Sequence, residues 1–145
     1  MIGPVMTETL LAEKDTYGEW YVLSSDQFCA QLEDEEFDYC IHKYPGEALI
    51  FTYACNRLSP EQFDHCVKKD PWSALHQEHS VIRLSDIQFD FCIKLWPKEA
   101  IKYSYSKNRF NPYQRSWIKA LLSRESCYMD YLFHLTWGRK SNDIK

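Results

Sequence analysis

An all-α fold, a short α-solenoid of helix–turn–helix repeats with atypical capping ends, is what three features of this 145-residue sequence predict. Residues 32–57, 58–83 and 84–109 align without a gap as LEDEEFDYCIHKYPGEALIFTYACNR, LSPEQFDHCVKKDPWSALHQEHSVIR and LSDIQFDFCIKLWPKEAIKYSYSKNR. Each copy carries apolar residues at i, i+3 and i+4, one face of a helix. A proline stands at the same place in each, at 45, 71 and 97. Stacked repeats bury their apolar faces against neighbours and usually present binding surfaces, which lowers the expectation of an enzyme.

The expected organisation is one helical-repeat domain over 1–145. It comprises an N-terminal cap (1–31), three copies (32–57, 58–83, 84–109), capping helices (110–137) and a tail (138–145). Within the cap, residues 7–14 read as a short helix beginning at Thr7. Leu23–Ser24 with Gln27–Phe28 echo a repeat start, but only nine residues before the next one, and so read as a shortened cap. The sequence leaves Trp20–Tyr21–Val22 unassigned between helix and strand.

In the middle copy Ser59 is an N-cap, Pro60 a first helical residue, and Gln62 completes a capping box. Phe63, Cys66 and Val67 then form the buried stripe, matched by Phe37, Cys40, Ile41 and by Phe89, Cys92, Ile93. Proline disfavours helix in the residue before it and suits the first turn of the next. The spacing therefore predicts two helices of about ten residues per copy, the second running from the proline to Arg57, Arg83 or Arg109. Ala48, Ala74 and Ala100 mark the expected close approach of the two. Beyond residue 109, Asn111–Pro112 starts a longer capping helix with no mid-copy proline, and RKSNDIK is expected to fray.

High aromatic content with scarce Gly and Pro argues for dense packing. No apolar run approaches the roughly 20 residues that span a bilayer. The first residues lack a basic segment, so no secretory signal is expected. Cys40, Cys66 and Cys92 recur at one position per copy, which fits buried reduced thiols and a cytoplasmic setting. No CxxC or HxxxH pair begins a zinc site, no Gly-rich phosphate loop is present, and no cofactor is expected. Asp64, His65 and Cys66 are adjacent on a helix and cannot form a local triad.

Charge is polarised along the chain. Residues 1–40 hold ten acids and one base, a net of −9; residues 91–145 hold four acids and eleven bases, a net of +7. Two candidate partner-binding sets follow: Glu33, Asp34, Glu35 and Glu36 at the acidic end, and Lys94, Lys98, Lys102, Arg109, Arg115 and Lys119 at the basic end. Asp38, Asp64 and Asp90 follow the Phe of every copy, and Arg57, Arg83 and Arg109 close every copy. Their invariance favours joints between copies over a recognition ladder. Positions that differ between copies are better binding candidates: Tyr39, His65, Phe91; His42, Lys68, Lys94; Gly46, Trp72, Lys98; Ile50, His76, Lys102; and Phe51, Gln77, Tyr103. Trp72 is the aromatic anchor candidate among them.

The unit L-S-x-x-Q-F-D-x-C-[IV]-x-x-x-P-x-x-A-[LI] resembles a short helical repeat found in tandem in bacterial and phage proteins. It is also similar in layout to the helix–turn–helix repeats of some bacterial effectors. The resemblance implies a small cytoplasmic protein that acts stoichiometrically on a host complex, anti-CRISPR inhibitors being one kind. It brings no catalytic or ligand residue. The expected function is non-enzymatic binding of another protein or a protein–nucleic acid complex, with the acidic third imitating nucleic acid. Direct nucleic-acid binding through the basic third (with Tyr103, Tyr105, Tyr113 or Trp117 stacking on bases) and head-to-tail self-assembly are the alternatives; no membrane partner is expected.

Overall fold

A computed structural model describes residues 20–123. Its regular structure is entirely helical: α1 (Tyr21–Ser24), α2 (Asp26–Gln31), α3 (Asp34–Lys43), α4 (Pro45–Ile50), α5 (Thr52–Arg57), α6 (Pro60–Lys69), α7 (Pro71–His76), α8 (Glu78–Arg83), α9 (Asp86–Leu95), α10 (Pro97–Ala100), α11 (Ser104–Lys107) and α12 (Pro112–Leu122). No described helix is long and apolar enough to cross a membrane.

The first helix of each copy starts as its sequence dictates. Ser59 Oγ accepts the Gln62 N–H at 3.1 Å while Gln62 Oε1 accepts the Ser59 N–H at 2.9 Å, so two otherwise unpaired amides are satisfied together. Ser85 with Gln88 and Asn111 with Gln114 repeat this box. Each first helix ends ahead of its proline, where Tyr44, Asp70 and Trp96 swing to φ of −130°, −143° and −132°. The Phe–Cys–Ile/Val triplets of α3, α6 and α9 are all buried.

The second half of each copy departs from expectation: it is two short helices instead of one. Phe51, Gln77 and Tyr103 are extended, with ψ of 123°, 140° and 137°, and the chain turns there. The reason lies in the apolar spacing. In an unbroken helix Leu49 and Ala54 would point about 140° apart, at roughly 100° per residue. Broken at Phe51, the chain buries Ala48, Leu49, Ala54 and Cys55 together.

The front is also corrected. Residues 20–31 are not the echo of a repeat start. They are α1 and α2, which stand in register with the second and third helices of a copy. Val22 and Leu23 fill the places of Ala48 and Leu49, and Cys29 that of Cys55; all are buried. At the other end α12 is the first helix of a further unit. Residues 7–14, 124–137 and the tail at 138–145 lie outside the described residues.

Like helices line up in three rows: α3, α6 and α9; α1, α4, α7 and α10; α2, α5, α8 and α11. Second helices also pack across copies, α4 against α6 and α7, and α7 against α9. At the first of these joints Gly46 packs with no room for a Cβ. A Cβ there would overlap Asp70 Oδ2, which accepts the Ser73 hydroxyl at 2.9 Å while Oδ1 caps the Ser73 N–H at 3.0 Å.

Candidate protein-binding face

The polar residues shared by all copies are consumed in joints between them. Arg57, Arg83 and Arg109 reach back across the boundary. Their Nη1 donates to the carbonyls of Cys29, Cys55 and Val81 at 2.5, 2.6 and 2.5 Å. Their Nη2 donates to Leu32, Leu58 and Leu84 at 2.7, 2.5 and 2.5 Å. These carbonyls lie at the end of the third helix of the preceding unit, where those of Cys29, Cys55 and Val81 also accept the C-cap N–H of Leu32, Leu58 and Leu84 at 3.3, 3.2 and 3.2 Å. Each guanidinium also lies over the Phe of its own copy, 4.4, 4.5 and 4.7 Å from the ring centres of Phe37, Phe63 and Phe89. Cys40, Cys66 and Cys92, one residue triplet further along the same buried stripe, are core residues too.

The aspartates make the complementary joint. Gln62, Gln88 and Gln114 donate their Nε2–H to Asp38, Asp64 and Asp90 at 3.0, 2.9 and 3.0 Å. The hydrogen bonds from Gln88 and then Lys68 hold the Asp64 carboxyl below the usual carboxylate range. Those from Lys94 and Gln114 do the same for Asp90. One glutamine therefore serves its own capping box through Oε1 and its neighbour's aspartate through Nε2. Glu36 stands at this position in the first copy, where the residue 24 earlier is Ala12 and offers no carboxylate.

The two charged sets are less open than their sequence suggests. Glu33 is the N-cap of α3, and Glu36 is buried with Oε1 accepting the Glu33 N–H at 2.8 Å. Glu36 is thus a capping residue and no part of an acidic surface; Asp34 and Glu35 are exposed. On the basic side Arg109 is spent in its joint. Arg115 donates to the Phe110 carbonyl at 3.1 Å, Lys94 pairs with Asp90 at 2.8 Å, and Lys102 pairs with Glu99 at 3.0 Å. Lys98 and Lys119 are exposed. Trp72 is half-buried and stacks on His76, 4.2 Å between ring centres, so it lines a joint more than it projects. The polarity nonetheless persists. Residues 20–57 carry seven acids and two bases, a net of −5, and residues 84–123 three acids and seven bases, a net of +4.

Sequence reasoning singled out Tyr39, His65 and Phe91 but missed the row to which they belong, the outer edge of the first helices at positions i, i+4 and i+8. These are Glu35, Tyr39 and Lys43 on α3, then Glu61, His65 and Lys69 on α6. On α9 they become Ile87, Phe91 and Leu95, and on α12 Tyr113, Trp117 and Leu121, of which Trp117 packs partly buried against the core. Ile87 is 83% exposed, Tyr113 71%, Leu95 54% and Leu121 42%, and Trp96 beside Leu95 is exposed as well. Contiguous exposed apolar side chains on a folded protein mark interaction sites. The signal was in the alignment: Glu35, Glu61 and Ile87 share one position, and a change from acid to aliphatic at a solvent-facing site is not dictated by packing.

Nucleophile chemistry finds no support at the described cysteines. Cys29, Cys40, Cys55, Cys66 and Cys92 are buried. Burial pushes the Cys66 and Cys92 thiols up to about 12, far from the reactive thiolate. His65 packs on His42, with the rings tilted by 38° and 4.2 Å between their centres. Among the described residues no group of three or more His, Cys, Asp or Glu is placed to hold a metal ion. Comparison with protein-family models, curated proteins and solved structures finds no match.

Proposed function

We propose that this chain is a non-enzymatic protein-binding module, a short helical-repeat solenoid that works through the outer edge of α9 and α12. One observation carries the reading: the first and last outer positions are Glu and Lys on α3 and α6 and become Ile and Leu on α9 and Tyr and Leu on α12, while the inner positions of α3, α6 and α9 keep their Phe–Cys–Ile/Val pattern. Selection on packing alone gives no cause for that change. The resemblance of the unit to phage and bacterial tandem repeats extends the proposal to stoichiometric blocking of a host complex, including anti-CRISPR action.

The test transplants one copy's edge onto another. Ile87→Glu, Phe91→His and Leu95→Lys together give α9 the outer residues of α6. We expect this variant to keep its thermal midpoint within a few degrees and to lose partners that the unaltered chain retains in affinity capture from its native cell. Retention of the same partners by the variant would refute this face. Reversal of Asp34 and Glu35 to lysine serves as the parallel arm for the acidic end. Loss of capture there alone would return the binding site to the nucleic-acid-like surface.

The net of +4 over 84–123 favours direct nucleic-acid binding as a second reading. A gel shift that weakens steeply between about 50 and 200 mM salt is its signature.

A further inference from the structure

Resting on the protein-binding reading above, we infer that the α9–α12 face receives an amphipathic α-helix of another protein, antiparallel to α9 and with carboxylates in its N-terminal half. Shape is the first argument. Two hollows flank the apolar edge at opposite ends of α9. One, of about 440 Å³, is bordered by Asp86, Ile87, Phe89 and Asp90. The other, of about 250 Å³, is bordered by Leu95, Trp96, Lys98 and Leu121. Ile87 and Leu95 are eight residues apart, about 12 Å along the helix. That length matches two turns of a partner helix anchored at i, i+4 and i+8, the pattern by which a helix seats in an apolar groove.

Charge supplies the direction. Asp86, Asp90 and Arg109 border the N-terminal hollow, Arg109 paired with Asp86 at 3.3 Å, so that hollow keeps an excess of negative charge; Lys94 is the penultimate residue of α9, and Lys98 borders the C-terminal hollow. Lys94 is 58% exposed in its 2.8 Å ion pair with Asp90, and an exposed pair contributes little to stability, so its ammonium can turn to an incoming carboxylate at small cost. Acidic residues are most stable in the first turns of a helix, where the macrodipole is positive. A partner whose acidic N-terminal turns cover Lys94 and Lys98 therefore runs opposite to α9, and the two macrodipoles oppose each other favourably.

The same observations weigh against other occupants. A second copy meeting edge to edge would bring two +4 segments together. The edges of α3 and α6, Glu–Tyr–Lys and Glu–His–Lys, offer no aliphatic anchor. An anionic membrane would face Asp86 and Asp90 at one end of the patch.

The experiment uses the full chain and two synthetic peptides of about eighteen residues, five helical turns. Both have leucines at i, i+4, i+8 and i+11. One has glutamates in its N-terminal half and lysines in its C-terminal half; the other has them exchanged. Titration calorimetry at two salt concentrations should show the first peptide at least about tenfold tighter, with the gap narrowing as salt rises. Lys98→Glu should shrink that preference, and Ile87→Gln, at a solvent-facing position, should weaken both peptides. Equal binding of the two peptides overturns the directed, acidic partner but leaves protein binding intact. Self-association in sedimentation that Ile87→Gln abolishes assigns the face to a second copy, and again only the inference falls. If neither peptide binds, and anionic phosphatidylglycerol vesicles either bind or do not, the inference falls; vesicle binding takes this protein-binding face with it.

Discussion

The helices α6 and α9 share an interior and differ in their exterior. Both start on a Ser–Gln capping box, both bury Phe, Cys and a β-branched residue, and both receive a glutamine from the next unit on their aspartate. Outside, α6 shows Glu61, His65 and Lys69, whereas α9 shows Ile87, Phe91 and Leu95. Two sets of positions in one ten-residue helix are therefore under separate control. The inner set answers to the neighbours on either side, the outer set to whatever lies in solution.

The sharpest way to break the comparison is to injure the shared interior. Phe63→Ala removes a ring that is 3% exposed and supports the Arg83 guanidinium. We expect a loss of about 3–5 kcal/mol in denaturant unfolding. A midpoint unchanged within a degree would contradict the buried stripe. Arg83→Ala comes next, at about 2–3 kcal/mol, because two backbone carbonyls lose a charged donor. Arg83→Lys should recover little of it, since an ammonium cannot span both carbonyls and cover the ring at once. Full rescue by lysine would show that charge alone, not the planar fork, closes the joint.

Smaller effects sharpen the picture at single joints. Gly46→Ala forces Asp70 to give up its cap on Ser73 or the second helices to part, and should cost about 1 kcal/mol. The equivalent residues Trp72 and Lys98 show that a glycine is not a general rule of the unit. Hence an alanine that costs nothing would mean the first joint is no tighter than the others. The weakest effect is on pH. The Asp64 carboxyl is held below its ordinary range, so its contribution is present above about pH 4 and fades as the pH falls through the lower folded value. Asp64→Asn should flatten that acid limb in a pH series of unfolding curves; an unchanged limb would assign the acid sensitivity elsewhere.

Much of the interior was readable in advance because it is governed by rules that are local in sequence. Ser59, Pro60 and Gln62 specify a helix start by themselves, and Phe63, Cys66 and Val67 specify its buried side. The break at Gln77 was also present, in the mismatch between Ala74–Leu75 and Ser80–Val81, but it emerges only when their angles are followed around one continuous helix. The identity of α1 and α2 was hidden for another reason. Leu23 and Cys29 keep register with Leu49 and Cys55, while the proline that would have announced a second helix is absent at position 19, a glutamate. Charge misled most where a side chain had two duties. Nothing in the letters alone says that Glu36 turns inward to finish a cap or that Arg109 spends its guanidinium on Val81 and Leu84. The outer edge needed a comparison between copies, position by position, before Ile87 and Leu95 stood out.

The third helices α2, α5 and α8 are each finished by a donor that belongs to the unit after it, 28 residues downstream of Cys55 and 25 downstream of Leu58 in the case of Arg83. A polypeptide growing from the ribosome therefore cannot seal one unit until the following one has been made. Order should advance along the nascent chain in steps, always one unit behind synthesis, with the newest helix end open to water and to chaperones. Nascent chains stalled just before and just after Arg83 has cleared the exit tunnel would differ in how readily a protease cuts near Leu58, and equal cleavage would show that the seal forms by other means.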